Sequence, residues 1–145
     1  MKTQLYWIGG QAIEASDTGR LIASAAANSR LKLALEIGAL CSSVQIQERS
    51  TGVSLVGDPT EIALVEAAYN AGLSKARLVA EYPLLREVPF DSERKRMSVV
   101  LRHHDQLLVY VKGAPGTVLE RCAQHLTADG IKPLSPTDRK QILAA

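Results

Sequence analysis

Apolar residues recur along this chain with two periods, and the switches between them mark its elements. Over 5–21 short apolar stretches are broken by Gly9-Gly10 and by Asp17-Thr18-Gly19, which predicts extended structure with turns at both points. Over 29–42 the period lengthens. Leu31, Leu35, Ile37, Leu40 and Cys41 share one stripe, which predicts a helix that begins earlier, in the alanine-rich run from Ile22. Val44-Gln45-Ile46-Gln47-Glu48 alternates apolar and polar and reads as a short strand. Ser50-Thr51-Gly52 then reads as a turn, and 53–56 as a second strand.

A stronger helix signal follows. Asp58 is a capping residue, Pro59 suits the first helical position, and Glu61 stands three residues after the cap. Ile62, Leu64, Val65, Ala68 and Tyr69 continue the helix and Gly72 stops it. Residues 74–81 read as another short helix. Residues 84–90, 97–102 and 106–112 read as strands, the last two joined by His103-His104-Asp105 as an antiparallel hairpin. Pro115 opens a helix to Leu126, with Val118, Leu119 and Cys122 on its inner face and His125 near its end. Ala128-Asp129-Gly130 is a turn, and Ser135-Pro136 with Asp138 starts a final helix. The chain stops within that helix, which suggests a piece of something larger. The whole predicts an α/β (α+β) fold, a mainly antiparallel sheet flanked by helices, in a single domain over 1–145.

Composition narrows the function classes. The apolar fraction of 46% suits a packed domain rather than a disordered one. The net charge of +2 is spread out and lacks the basic stripe of a nucleic-acid surface, so no nucleic-acid partner is expected. No apolar run approaches the roughly 18 residues that cross a bilayer. The N-terminus has no signal-peptide pattern, and no direct membrane contact is expected. Cys41 and Cys122 have no paired spacing and fall on apolar helix-like faces, which predicts buried reduced thiols. No Cys/His/Asp spacing resembles a metal site.

Three segments carry candidate chemistry. Gly57-Asp58-Pro59-Thr60-Glu61 places carboxylates and a hydroxyl at a helix start; taken alone it reads first as a capping motif. Phe90, the one phenylalanine, opens the charged stretch Phe90-Asp91-Ser92-Glu93-Arg94-Lys95-Arg96-Met97-Ser98. A flat ring beside cations suits a stacked base and its phosphates, although alone it also reads as a core ring beside a solvated turn. Phe90 and Lys95 are five residues apart, so one continuous strand would place them on opposite faces. If both serve one pocket, 91–96 must turn back, giving a three-strand meander with Phe90 at its mouth. Val111-Lys112-Gly113-Ala114-Pro115 ends a strand with a lysine and a glycine that admits close backbone approach.

Together and in this order, the three segments resemble the nucleotide-binding domain of P-type cation-transporting ATPases, in the type II, calcium-pump-like branch. That family has a Gly-Asp-Pro-Thr-Glu type motif, then Phe-x-Ser-x-Arg-Lys-x-Met-Ser, then Lys-Gly-Ala-Pro. Order, spacing and the helix, meander, helix layout match over 57–122, and more loosely before 57. The resemblance implies ATP or ADP as ligand. It implies that Phe90 stacks on adenine and that Glu61 lines the adenine side and accepts from its amino group. Lys95 approaches the phosphates or the ring edge, Lys112 closes the pocket beside the base, and Gly113 gives backbone access. Asp58, Ser92, Arg94 and Arg96 are secondary candidates. Gly116 stands where the family often has glutamate. Ser92 stands where many relatives carry arginine, which shifts phosphate contacts to Arg94 or Arg96. The family's domain also continues into a last strand, bearing a nucleotide-contacting arginine, that this chain lacks.

No Asp-Lys-Thr-Gly phosphorylation motif and no Walker or Gly-x-Gly-x-x-Gly loop occurs, and Asp17-Thr18-Gly19 is only an echo of the first. No acidic cluster is set to hold Mg²⁺. The resemblance assigns the phosphorylated aspartate and Mg²⁺ to a neighbouring domain. The expectation is therefore a domain without catalytic residues that binds ATP and presents its γ-phosphate elsewhere. Its partners are the phosphorylation and actuator domains of a parent cation translocase, and it lies on the cytoplasmic side of a bacterial plasma membrane. Calcium is the family-weighted ion. The alternatives are a free-standing adenine-nucleotide sensor and a non-binding structural or interaction module with a decayed pocket.

Overall fold

The computed structural model describes residues 5–9, 11–14, 18–49 and 52–145. Its centre is an antiparallel meander of β5 (Leu84–Asp91), β6 (Arg96–His103) and β7 (Gln106–Gly113), ordered β5-β6-β7. Alternation along β6 buries Met97, Val99 and Leu101, which pair directly with Lys112, Tyr110 and Leu108 of β7. Opposed residues share a sheet face, so this face carries the core. It packs on α2 (Ser29–Leu40), whose Leu31, Leu35, Ala39 and Leu40 join the same cluster. Burying such a side chain contributes about 1.5–3 kcal/mol.

Around this centre lie the hairpin β1 (Leu5–Ile8) and β2 (Gln11–Glu14), then α1 (Thr18–Ala27). The hairpin β3 (Gln45–Arg49) and β4 (Gly52–Val56) leads into α3 (Pro59–Asn70) and α4 (Lys75–Glu81). After the meander come α5 (Pro115–Leu119), the hairpin β8 (Gln124–Thr127) and β9 (Gly130–Pro133), and α6 (Pro136–Ala144). All strand pairs among the described residues are antiparallel. They form four separate small sheets, with helices against the central one.

The local signals act as their chemistry requires. Gly72, at φ 85°, follows α3, and the N–H groups of Gly72 and Leu73 close on Tyr69 O and Ala68 O as a Schellman motif. Ser135 and Asp138 form a reciprocal capping box on α6.

Several sequence expectations are corrected. The single helix expected across 22–42 is two helices, because Asn28 turns extended (φ −127°) and its side chain caps Arg30 and Leu31. Thr18 and Gly19, expected in a turn, open α1, and Leu21 is buried within it. The helix expected from Pro115 to Leu126 ends at Leu119. Arg139 of α6 donates to the carbonyls of Leu119 and Cys122 and satisfies the freed helix end. His125 therefore lies in β8, and Cys122 is half-buried beyond the helix. Cys41 is a buried free thiol, as expected. Gly10, Asp17 and the Ser50-Thr51 pair, all expected in turns, lie outside the described residues.

Candidate functional site

The site begins at the N-terminus of α3. The Asp58 carboxylate caps it, accepting from the N–H groups of Thr60 at 2.8 Å and Glu61 at 3.4 Å. These bonds, Thr60 first, hold the Asp58 pKa below its ordinary value. With that cap in place Glu61 is free of the expected capping-box role. Its Oε1 takes the Lys112 ammonium at 2.5 Å, and its Oε2 accepts the Ser43 N–H at 2.9 Å. The pair is mostly buried, with side-chain exposures of 14% for Glu61 and 22% for Lys112. Two residues 51 apart in sequence are thus joined at the end of the meander.

The turn between β5 and β6 is built by Asp91. Its Oδ1 accepts from the N–H groups of Glu93 at 3.0 Å and Arg94 at 2.8 Å, and its carbonyl accepts from Lys95 N at 2.7 Å. Closure puts Lys95 in the left-handed region at φ 51°. That conformation costs a non-glycine residue about 1–2 kcal/mol. The Lys95 carbonyl then receives the Ala114 N–H at 3.0 Å. Gly113 lies under this crossing, where a Cβ would overlap the Lys95 carbonyl oxygen and stand 2.6 Å from Arg96 Cβ. A physical reason for glycine at 113 is therefore contact with the chain itself.

β5 carries one extra residue between the pairs Val88–Ser98 and Asp91–Arg96. Pro89 and Phe90 accordingly both stand opposite Met97, which pairs with Lys112. Phe90, Met97 and Lys112 lie at one level across three strands. Met97 is 1% exposed, whereas Phe90 is 61% exposed. Lys95 and Ser92 are exposed in the turn. Arg94 and Arg96 are half-buried, each donating to the other's carbonyl at 3.2 and 3.0 Å. Arg94 Nε is buried without a hydrogen-bond partner. Burial first, then the Arg121 and Arg94 guanidiniums, lower the Arg96 pKa. Three like charges therefore gather beside the turn.

The structure joins Glu61 to Lys112, and Gly113 to Lys95 and Arg96. It leaves Asp58 and Asp91 occupied as backbone caps. Sequence reasoning missed Ser43, Glu87, which accepts the Ser43 hydroxyl, Lys75, whose ammonium donates to the neighbouring Ser42 and Val44, and Arg121. The one available signal was Lys75, a cation at the first position of a helix, where the dipole disfavours it. A separate cleft of about 500 Å³ is lined by Trp7, Arg30, His125, Asp129 and Asp138 among others, and includes none of the site residues above.

These residues can be set beside known proteins. A family model for the P-type ATPase cytoplasmic domain N matches residues 30–145. The chain belongs to this P-type ATPase family. It is 38% identical over 111 residues to the calcium-transporting ATPase of Bacillus subtilis (strain 168), covering 76% of this chain and 12% of that protein. It is 39% identical over 100 residues to the cation-transporting ATPase pma1 of Synechocystis, covering 69% and 11%. It is 35% identical over 119 residues to the probable cation-transporting ATPase F of Mycobacterium bovis, covering 82% and 13%. The chain thus spans a small part of the length of these relatives. Every candidate site residue of this P-type ATPase N domain falls inside the matched span, whereas β1, β2 and α1 precede it. Among the described residues no helix is long and apolar enough to cross a membrane.

Proposed function

We propose that residues 1–145 act as one nucleotide-binding domain of a larger cation pump, holding ATP or ADP chiefly by the base. The observation that carries this reading is Phe90, a large aromatic left 61% exposed at the same level as the Glu61–Lys112 pair. An exposed ring offers a stacking face, and Glu61 oxygens that already hold Lys112 and Ser43 each keep a lone pair for an exocyclic amino group. Lys95, Arg94, Arg96 and Arg121 supply the positive charge a polyphosphate needs.

When bound, ATP supplies a γ-phosphoryl group for transfer to a residue of the phosphorylation domain, together with Mg²⁺. This chain's residues fix the base and orient the phosphates outward, so the domain contributes positioning. The parent in this reading is an ATP-hydrolysing cation translocase of a bacterial plasma membrane. This domain is cytoplasmic and meets the phosphorylation and actuator domains. The name of the Bacillus relative favours calcium as the ion.

Titration with ATP under amide NMR tests the reading. Shifts should cluster on Glu61, Phe90, Lys95 and Lys112. Phe90→Ala should weaken binding by about 1–3 kcal/mol, roughly 5- to 150-fold, while the domain stays folded. No shifts at millimolar ATP would overturn it.

A further inference from the structure

Between α2 and β3 the chain passes through Ser42, Ser43 and Val44, and other elements converge on these three residues. From α3, Glu61 Oε2 accepts the Ser43 N–H at 2.9 Å. From β5, Glu87 Oε1 accepts the Ser43 hydroxyl at 2.7 Å. From α4, the Lys75 ammonium donates to Ser42 O at 3.1 Å, Ser42 Oγ at 2.7 Å and Val44 O at 2.8 Å. Gly57 closes against the same loop, where a Cβ would stand 3.1 Å from Val44 Cγ2 and 3.3 Å from Val44 Cα.

Lys75 breaks local rules to be there. It is the first residue of α4, a position whose exposed N–H groups disfavour a cation. It is half-buried, and burial lowers its pKa against the opposing pull of Glu61 and Glu87. An ammonium has three donors, and acceptors on two residues of one loop take all three. Neither helix propensity nor solvation accounts for this placement, whereas a cross-link does. A residue that violates local preference so consistently marks a site that the fold supports for another reason.

We infer that Lys75 is a positioning residue for the nucleotide site: it clamps the 42–44 loop so that the Ser43 N–H fixes one oxygen of Glu61 while the other meets Lys112. The inference rests on the nucleotide reading of Glu61 and Lys112. Without the clamp, Ser43 keeps only the Glu87 tether and Glu61 only Lys112, so the direction Glu61 offers a base is held less firmly.

The test uses the full chain and two readouts. In ligand-free protein, a charged acceptor carries the Ser43 amide proton downfield. In Lys75→Met this resonance should move toward its position in Glu61→Gln, while the Leu78 and Tyr82 amides of α4 stay in place. In an ATP titration, Lys75→Met should weaken binding roughly 5- to 20-fold, and the double variant with Glu61→Gln should bind no worse than Glu61→Gln alone. A Ser43 resonance that stays at its wild-type position overturns the inference, as do losses that multiply in the double variant. If Lys75→Met does not fold, Lys75→Gln, which keeps part of the donor set, should move the Ser43 resonance partway, and no movement overturns the inference. If the wild type takes up no ATP, the nucleotide reading fails separately, and the ligand-free Ser43 resonance alone decides the clamp.

Discussion

Gly113→Ala separates two reasons for a glycine in Lys112-Gly113-Ala114-Pro115. Sequence reasoning assigns it to close approach by a ligand; the structure brings it against the chain. An added Cβ would overlap the Lys95 carbonyl oxygen and stand 2.6 Å from Arg96 Cβ and 2.8 Å from Arg96 Cα. Carbon pairs rest at about 3.5–4.0 Å, so the shortfall is about 1 Å. None of these atoms is the far end of a flexible side chain. The Lys95 carbonyl is also held by the Ala114 N–H at 3.0 Å, and Lys95 is already left-handed at φ 51°. Relief must come from parting β6 and β7 where Arg96 pairs with Gly113. Overpacking of this kind costs about 1–3 kcal/mol, and loss of the Ala114 bond adds about 1 kcal/mol. The stiffer unfolded chain returns about 0.5 kcal/mol. The net expectation is a loss of about 2.5 kcal/mol, or roughly 8 °C in Tm for a domain of this size. Urea unfolding followed by circular dichroism should show a lower midpoint at unchanged slope. A variant within about 0.5 kcal/mol of wild type that nonetheless binds ATP poorly would refute the packing argument and return Gly113 to the ligand.

Three further substitutions follow from the same geometry. Gly116 has nothing within 4 Å of an added Cβ, and α5 lacks an acid in its first turn. Gly116→Glu should therefore stabilise the domain by about 0.5–1 kcal/mol, read as a higher Tm. Asp58 has a depressed pKa, with the Thr60 N–H as first cause. Its contribution is present above the ordinary value of 3.8 and is lost as pH falls below it, so Asp58→Asn should flatten the urea midpoint below about pH 4. The Tyr82 phenol is pushed up to about 12 by burial first and then by Glu36 and Glu81. Its contribution is present below about pH 10 and is lost as pH rises toward 12. Tyr82→Phe should remove a component ionising near 12 from a phenolate titration at 295 nm.

What was legible in the sequence is what short range decides. Asp58-Pro59 and Ser135-Pro136 carry their caps within four residues, and both helices begin where these motifs place them. The meander was legible from the patterning of its three strands, and Asp91 supplies the reversal over 91–96. What was hidden depends on partners far along the chain. The helix from Pro115 stops early because Arg139 accepts the task of satisfying its end, and nothing near Leu119 announces this. Asn28 breaks a helix-like apolar run with a single side chain. Glu61 sits at a capping-box spacing, yet Ser43 and Lys112 claim its oxygens across 18 and 51 residues. The contact between Glu61 and Lys112 therefore joins two residues that the motifs had singled out, while the contact to Ser43 had no signal in the sequence.

The motif residues divide by what the fold explains. Gly57 is favoured by its close approach to Val44, Gly113 is required by Lys95 and Arg96, Asp58 caps the N-terminus of α3, and Asp91 builds its own turn. Each would be needed to shape this corner even with no ligand. Phe90 is different. It is the only phenylalanine, it stands across from a buried methionine, and it leaves most of its ring in water. A bulge that sets two residues against one already re-aims the strand without needing an aromatic there. Packing thus accounts for the shape of the site, and the exposed ring is the part that the proposed stacking on a base would use. Stability and binding should accordingly part at these positions: Gly113→Ala acts first on the fold, whereas Phe90→Ala acts first on the nucleotide.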